Sequence, residues 1–246
     1  MTGYVARRPA SYAEGRAAGL PAVVTVAYER WGGGEPLVLL HGVGDDRRVW
    51  GAVVPLLAGF DTIALDLPGF GDSPAPDPGV PWGLEAAGAW MGALFEGLGV
   101  ERPHVAGHSL GGLIALRLGQ AGLARSVTAL APAGFWTGVE RRYAYAVLAM
   151  SRQGAAARAA LRAGRGPRLF SGDVPGVPVT VAWGTRDRLL PPWQAARVKA
   201  VIPGARLVPL PRCGHVPMAD DPGLVARVLR EAACGPPAAT DGGSTG

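Results

Sequence analysis

Gly107-His108-Ser109-Leu110-Gly111 follows a short apolar run, Pro103-His104-Val105-Ala106, and opens into a helix-like segment from Leu110 to Leu118. The stretch reads as a strand, a sharp turn and a helix, with Ser109 at the apex. A serine hydroxyl is a weak nucleophile when free, and becomes useful when a tight turn lifts its Oγ toward a base. In such a turn the two backbones approach closely. Gly107 and Gly111 then stand where a Cβ would collide, and Gly112 extends the small patch. The serine itself is expected to hold a strained backbone conformation, of the kind kept at functional sites. In a chain with 38 glycines the motif alone also fits an ordinary Gly-Ser turn, so its partners decide.

A nucleophilic serine needs a histidine base, and the base needs a carboxylate to orient it. The chain has four histidines. His108 is adjacent to Ser109 and is expected to point away from it. His41 lies in the tight loop Leu40-His41-Gly42-Val43-Gly44, where it braces the loop. His104 sits at the far end of the strand from the turn. His215 remains, in Arg212-Cys213-Gly214-His215-Val216-Pro217, after the strand-like run from Ala205 to Leu210. Between Ser109 and His215 there are three carboxylates, Glu140, Asp173 and Asp187. Glu140 falls in a helix-like segment rich in Arg and Ala and reads as a solvated charge. Asp173 precedes the strand Pro178 to Ala182. Asp187 follows that strand, and sites in parallel α/β sheets form at the carboxyl ends of strands. The catalytic candidates are therefore Ser109 as nucleophile, His215 as base and Asp187 as its orienting acid.

With these residues placed, the chain resembles the α/β-hydrolase superfamily, nearest the single-domain esterase and C–C hydrolase branch with a helical cap. Four blocks, in the family's order, carry the resemblance over roughly residues 25 to 232. They are His41-Gly42-Val43-Gly44 with Trp50 downstream; Asp66-Leu67-Pro68-Gly69-Phe70-Gly71-Asp72-Ser73; Gly107 to Gly112; and Gly184-Thr185-Arg186-Asp187 with Gly214-His215. The Ser, Asp, His order is also the family's. The resemblance implies an oxyanion hole made by the backbone N–H groups of Val43 and Leu110. Donors so placed contribute on the order of 3–4 kcal/mol each to acyl transfer. The Asp66 block reads as a structural turn braced by its carboxylate.

Composition fits one α/β domain over residues 1–234, since such folds run to about 250 residues without splitting. No run reaches the roughly 18 apolar residues that span a bilayer. No signal peptide is evident before Tyr12. Cys213 and Cys234 are too few for a disulfide framework and are expected to be reduced. A net charge of +5 invites a nucleic-acid reading, but Lys199 is the only lysine and the arginines are spread along the chain. These features point to a cytoplasmic enzyme with a small-molecule ester or acyl substrate, no nucleic-acid partner and no stable membrane anchor. There is neither a His/Cys/Asp cluster at metal spacing nor a dinucleotide-binding glycine motif after a strand, so no metal or organic cofactor is expected.

The expected fold class is α/β, with a doubly wound and mostly parallel sheet and a small helical cap. Strands are expected at Val23 to Glu29 on the edge, then at Pro36 to Leu40, Thr62 to Leu65, His104 to Ala106, Val127 to Leu130, Val179 to Ala182 and Ala205 to Leu210. Helices are expected at Val49 to Leu57, Leu84 to Leu98, Leu110 to Ala121, Pro192 to Val201 and Pro222 to Ala233. Such alternation implies right-handed crossovers. The cap falls at about residues 135–176, short for a capped relative, with one amphipathic helix from Val139 to Arg152. Phe135, Trp136 and Tyr143 are the candidate pocket residues, with Tyr145 beside them. Residues 235–246 read as a disordered tail. The expected activity is hydrolysis of a carboxylic ester through an acyl-enzyme. C–C bond hydrolysis or a cofactor-free peroxidase reaction are alternatives on the same fold, and a small-molecule receptor is the alternative of another class.

Overall fold

Leu37 and Leu39 pack in one apolar cluster, whereas Val38 and Leu40 pack in another. The same alternation continues through Ala106 against Val105 and Ala182 against Val181. Successive strand residues point to opposite faces, so a strand that is apolar at every position needs cover on both sides. The computed structural model describes residues 11–15, 23–75, 86–149 and 170–234, and it supplies that cover.

Among the described residues, eight strands form one sheet in the order β1-β2-β4-β3-β5-β6-β7-β8. They are β1 (Ser11–Gly15), β2 (Val24–Gly32), β3 (Glu35–Leu40), β4 (Phe60–Leu65), β5 (His104–His108), β6 (Ser126–Leu130), β7 (Val179–Gly184) and β8 (Arg206–Leu210). The β1–β2 and β2–β4 pairs are antiparallel, and the rest are parallel. Helices α1 (Ala87–Gly97) and α2 (Leu110–Gln120) feed Trp90, Met91, Leu94, Leu113 and Ile114 into one cluster. The helix Pro222–Cys234 feeds Val225, Val228 and Leu229 into the other, beside Trp50 and Val53. The chain turns outward in both directions from β3, with β4 on one side and β5 on the other. This switch point is where doubly wound sheets place their sites.

Several expectations change. The edge strand is β1, not the one near Val24. β1 buries only Ala13 among its described side chains, so it carries almost no apolar signal. The expected helix from Val49 to Leu57 is two 3-10 turns, Arg47–Trp50 and Val54–Leu56. Asp46 caps the first turn, its carboxylate accepting the Arg48 N–H at 2.8 Å. Pro55 in the second lacks the N–H that a continuous helix needs. The helix Pro192 to Val201 begins as a 3-10 turn, Pro192–Gln194, before Ala195–Val201. The start expected at Leu84, the end expected at Arg152 and the tail 235–246 lie outside the described residues.

The residues after β6 leave the sheet through helix α3 (Gly138–Ala149) and return at Phe170, whose N–H donates to the Gly134 carbonyl at 3.0 Å. On α3 the buried residue is Ala144, while Val139 and Tyr143 are exposed at 79% and 51%. The expected apolar stripe is therefore not the packed face. Glu140 is not a free solvated charge either. Its carboxylate accepts from both Arg197 guanidinium nitrogens, from Trp193 Nε1 at 2.7 Å and from Thr137 N at 2.6 Å. Arg197 also reaches the Phe135 carbonyl at 2.8 Å, so one ion pair ties α3 to the segment after β7.

Below the loop after β3, Arg47 is 3% exposed and meets three carboxylates, Glu29, Asp66 and Asp72. Asp66 is fully buried and also accepts from Arg47 N at 2.7 Å and Asp72 N at 2.8 Å. Gly71, at φ 55°, leaves room for that carboxylate. The expected brace at Asp66 is present, with an arginine partner that its own block did not reveal.

Two outcomes follow from these ion pairs. Arg47→Met leaves the buried Asp66 charge uncompensated and should lower unfolding free energy by about 3–5 kcal/mol, measured by urea denaturation; a loss below about 1 kcal/mol contradicts the assignment. Arg197 holds the Glu140 carboxyl down at about 2, from an ordinary 4.5. A depressed acid stabilises fully above its unfolded value and loses that contribution as pH falls through its folded value. Amide protection in α3 should therefore drop between pH 4.5 and 2. Glu140→Gln should lack that drop and be less protected at pH 7.

Candidate active site

The β3–β5 register pairs Leu40 with Gly107 and so brings the loop after β3 alongside the turn after β5. Ser109 occupies φ 51°, ψ −109°, a strained conformation for a residue with a side chain. Backbone bonds hold it there. Its N–H donates to Leu130 O at 2.9 Å, and its carbonyl accepts from Leu113 N at 3.1 Å and Ala133 N at 3.0 Å. A Cβ on Gly111 would strike the Leu40 and His41 carbonyls, and one on Gly107 would strike the Gly111 backbone. The glycines thus let three chain segments converge under one serine. Among the described residues the Ser109 hydroxyl makes no hydrogen bond.

His215 and Asp187 arrive from the ends of β8 and β7. His215 Nδ1 lies 2.8 Å from Asp187 Oδ2. Asp187 is 4% exposed, and its other oxygen accepts the N–H groups of Leu189 at 2.9 Å and Leu190 at 2.8 Å. The carboxylate only accepts, so the proton of His215 is assigned to Nδ1 and Nε2 keeps its lone pair. Gly184 makes this junction possible, since a Cβ there would collide with the Cys213 and Gly214 carbonyls. Asp173, the competing acid, lies on the far side of β7; its carboxylate caps its own turn at Val174 N, 2.8 Å away.

His41 braces its loop in a specific way. Its Nε2 accepts from Leu67 N at 2.8 Å, so its Nδ1 carries the proton and donates to Gly42 O at 2.7 Å. Asp45 N donates to the same carbonyl at 3.3 Å. In a trans peptide the N–H points opposite to the C=O, so holding Gly42 O turns the Val43 N–H away from both donors. Burial pushes His41 below its ordinary pKa, which keeps this neutral tautomer. The Leu110 N–H is the first of α2, where the helix dipole adds positive character. Neither the Val43 nor the Leu110 N–H has an acceptor among the described residues.

Of the pocket candidates, Phe135 and Trp136 are buried and Tyr143 is half-exposed. The Phe135 ring packs on Phe170 at 5.6 Å, and Trp136 stands 6.0 Å from Tyr145. Val43, Leu110 and Leu189 are partly buried and pack on the same cluster. His104 bonds Ser126 Oγ at 2.8 Å, at the opposite ends of β5 and β6 from the turn. His108 is buried and packs against His215, a contact between residues far apart in sequence that no local pattern signals. No group of three metal-ligating side chains occurs among the described residues, and none of their helices is long and apolar enough to cross a membrane.

The fold is shared with solved esterase structures. A thermophilic esterase from Thermogutta terrifontis matches with a TM-score of 0.72 at 23% identity, covering 90% of this chain and 97% of that one. A carboxylesterase from Bacillus subtilis matches with a TM-score of 0.75 at 21% identity, covering 92% of each. In sequence, a pimeloyl-[acyl-carrier protein] methyl ester esterase from Aeromonas hydrophila is 41% identical over 96 residues, which cover 39% of this chain and 36% of that relative. An acetyltransferase component of the acetoin cleaving system from Cupriavidus necator is 30% identical over 78% of this chain and 62% of its own length. The chain thus spans less than two thirds of these two relatives. The model of the alpha/beta hydrolase family matches residues 37–228, from within β3 through β8, with every residue of the site above: the chain belongs to that family.

Proposed function

We propose that the protein is a serine hydrolase that cleaves a carboxylic ester through an acyl-enzyme. The observation that carries this reading is the 2.8 Å contact between His215 Nδ1 and a buried, twice-bonded Asp187, with His215 packed on His108, the neighbour of a serine on a strained turn. Ser109 Oγ attacks the carbonyl carbon while His215 Nε2 takes its proton. Asp187 stabilises the imidazolium and fixes its tautomer. The Val43 and Leu110 N–H groups receive the oxyanion. His215 returns its proton to the departing alkoxide, then draws one from water, whose oxygen attacks the acyl carbon; as the C–O bond to Ser109 breaks, His215 gives that proton to Ser109 Oγ and the carboxylic acid leaves. The relatives named as esterases support an ester as substrate. In this reading the expected small cap, residues 135–176, of which 150–169 lie outside the described residues, takes Phe135, Trp136 and Tyr143 as its wall.

Ser109→Ala should remove nearly all turnover of aryl esters with the fold intact, a loss of several orders of magnitude. Fluorophosphonate should label the wild type at Ser109 and not the variant. Asp187→Asn should lower kcat strongly and Asp173→Asn should leave it unchanged. Turnover within tenfold of wild type in Ser109→Ala overturns the reading. A short cap also buries less of a long acyl chain, and each methylene left wet forfeits up to about 0.8 kcal/mol. Across a series of aryl esters kcat/KM should peak at about two to six acyl carbons; a steady climb to long chains contradicts a shallow pocket.

A further inference from the structure

His108 closes β5 immediately before the nucleophile, and its ring is 3% exposed. Its Nε2 lies 2.7 Å from the main-chain carbonyl of His215. A carbonyl only accepts, so Nε2 carries the proton and Nδ1 keeps the lone pair. That Nδ1 is buried and has no partner. The ring centroid stands 4.8 Å from that of His215, with the planes tilted by 55°. On its other side is Gly42, where a Cβ would come within 2.9 Å of His108 Nδ1 and 3.2 Å of Ser109 Cβ. One ring therefore fills the space between the loop after β3 and the loop after β8, directly behind Ser109.

We propose that His108 is a positioning residue for His215, holding the main chain from which the base hangs at a fixed height beside the nucleophile. This rests on the reading of Ser109 and His215 as nucleophile and base. The Asp187 contact fixes the imidazole at Nδ1 alone, and a ring held at one atom can still tilt if its backbone drifts. Other bonds secure the loop at residues before His215: Gly214 N to Asp220 Oδ2 at 2.7 Å, and Arg212 N to Thr185 Oγ1 at 3.0 Å. The His108 bond acts on the peptide of His215 itself. The charge on the ring matters to the base as well. His108 faces His215 and His41, and His215 faces Asp187, Asp45 and His108. Burial, with the repulsion from His215 next, pushes His108 well below its ordinary pKa. Either charge state keeps the Nε2–H donor, but only the neutral ring avoids placing a second cation beside the imidazolium that forms on His215.

The test compares His108→Phe, which keeps an aromatic volume and removes the donor, with His108→Gln, which returns an amide donor. Both are assayed on a short aryl ester, with kcat expressed per site titrated by fluorophosphonate, so that loss of folded protein does not count. The Phe variant should lose about ten- to hundredfold in kcat with KM within twofold, and Gln should recover to within about fivefold of wild type. Nitrogen-15 NMR of the wild type supplies a readout that needs no activity: His108 should stay the neutral Nε2–H tautomer from pH 5 to 8. A Phe variant within twofold of wild type per site, a Gln variant no better than Phe, or a His108 that titrates or carries its proton on Nδ1 overturns the proposal. If the wild type cleaves no ester, the esterase reading fails, and the NMR tautomer still decides the contact.

Discussion

A serine at φ 51° and ψ −109° is not where an L-residue rests, and the architecture around the site is arranged to keep it there. Such a conformation costs on the order of 1–3 kcal/mol. It persists because Leu130 of β6 and Ala133 just beyond it grip the turn, α2 grips it at Leu113, and glycines at 107 and 111 allow the approach. The sheet's central strands are fixed by two apolar faces, so the turn cannot relax without moving a core. The strain on one residue is thereby spread over the whole fold.

The same core steadies the loops that meet the serine. The buried Arg47 and Asp66 pair anchors the turn next to β4, and His41 reaches from β3 to the Leu67 N–H at the end of that turn. One chain of bonds therefore runs from a buried ion pair to the Gly42 carbonyl. A buried ion pair is a poor source of net stability against an apolar replacement. Its value here is directional, because it fixes which way a peptide points.

The sequence shows some of this and hides the rest for physical reasons. Apolar runs at β3 to β7 announce strands because both faces are covered. The glycines around Ser109 announce a close approach because no other residue fits. Elimination among four histidines and the three carboxylates between Ser109 and His215 leaves His215 and Asp187, and these two are 2.8 Å apart. Arg47 is hidden because a buried arginine looks like a surface one until its three acids fold around it. The strand at Ser11–Gly15 is hidden because its edge position asks for little apolar character. The contact between His108 and His215 is hidden because it joins residues 107 positions apart, which no local pattern announces.

The stitch from Phe170 N to Gly134 O closes the excursion that carries α3 at its base, next to the bond from Ala133 to Ser109. Chain entering and leaving at one point makes few demands on what lies between. Doubling the length of a flexible closed loop costs only about 0.6 kcal/mol in closure entropy. The base of the excursion is thus a socket. Mutation and selection can lengthen, shorten or exchange what is plugged into it while the strained serine keeps its place.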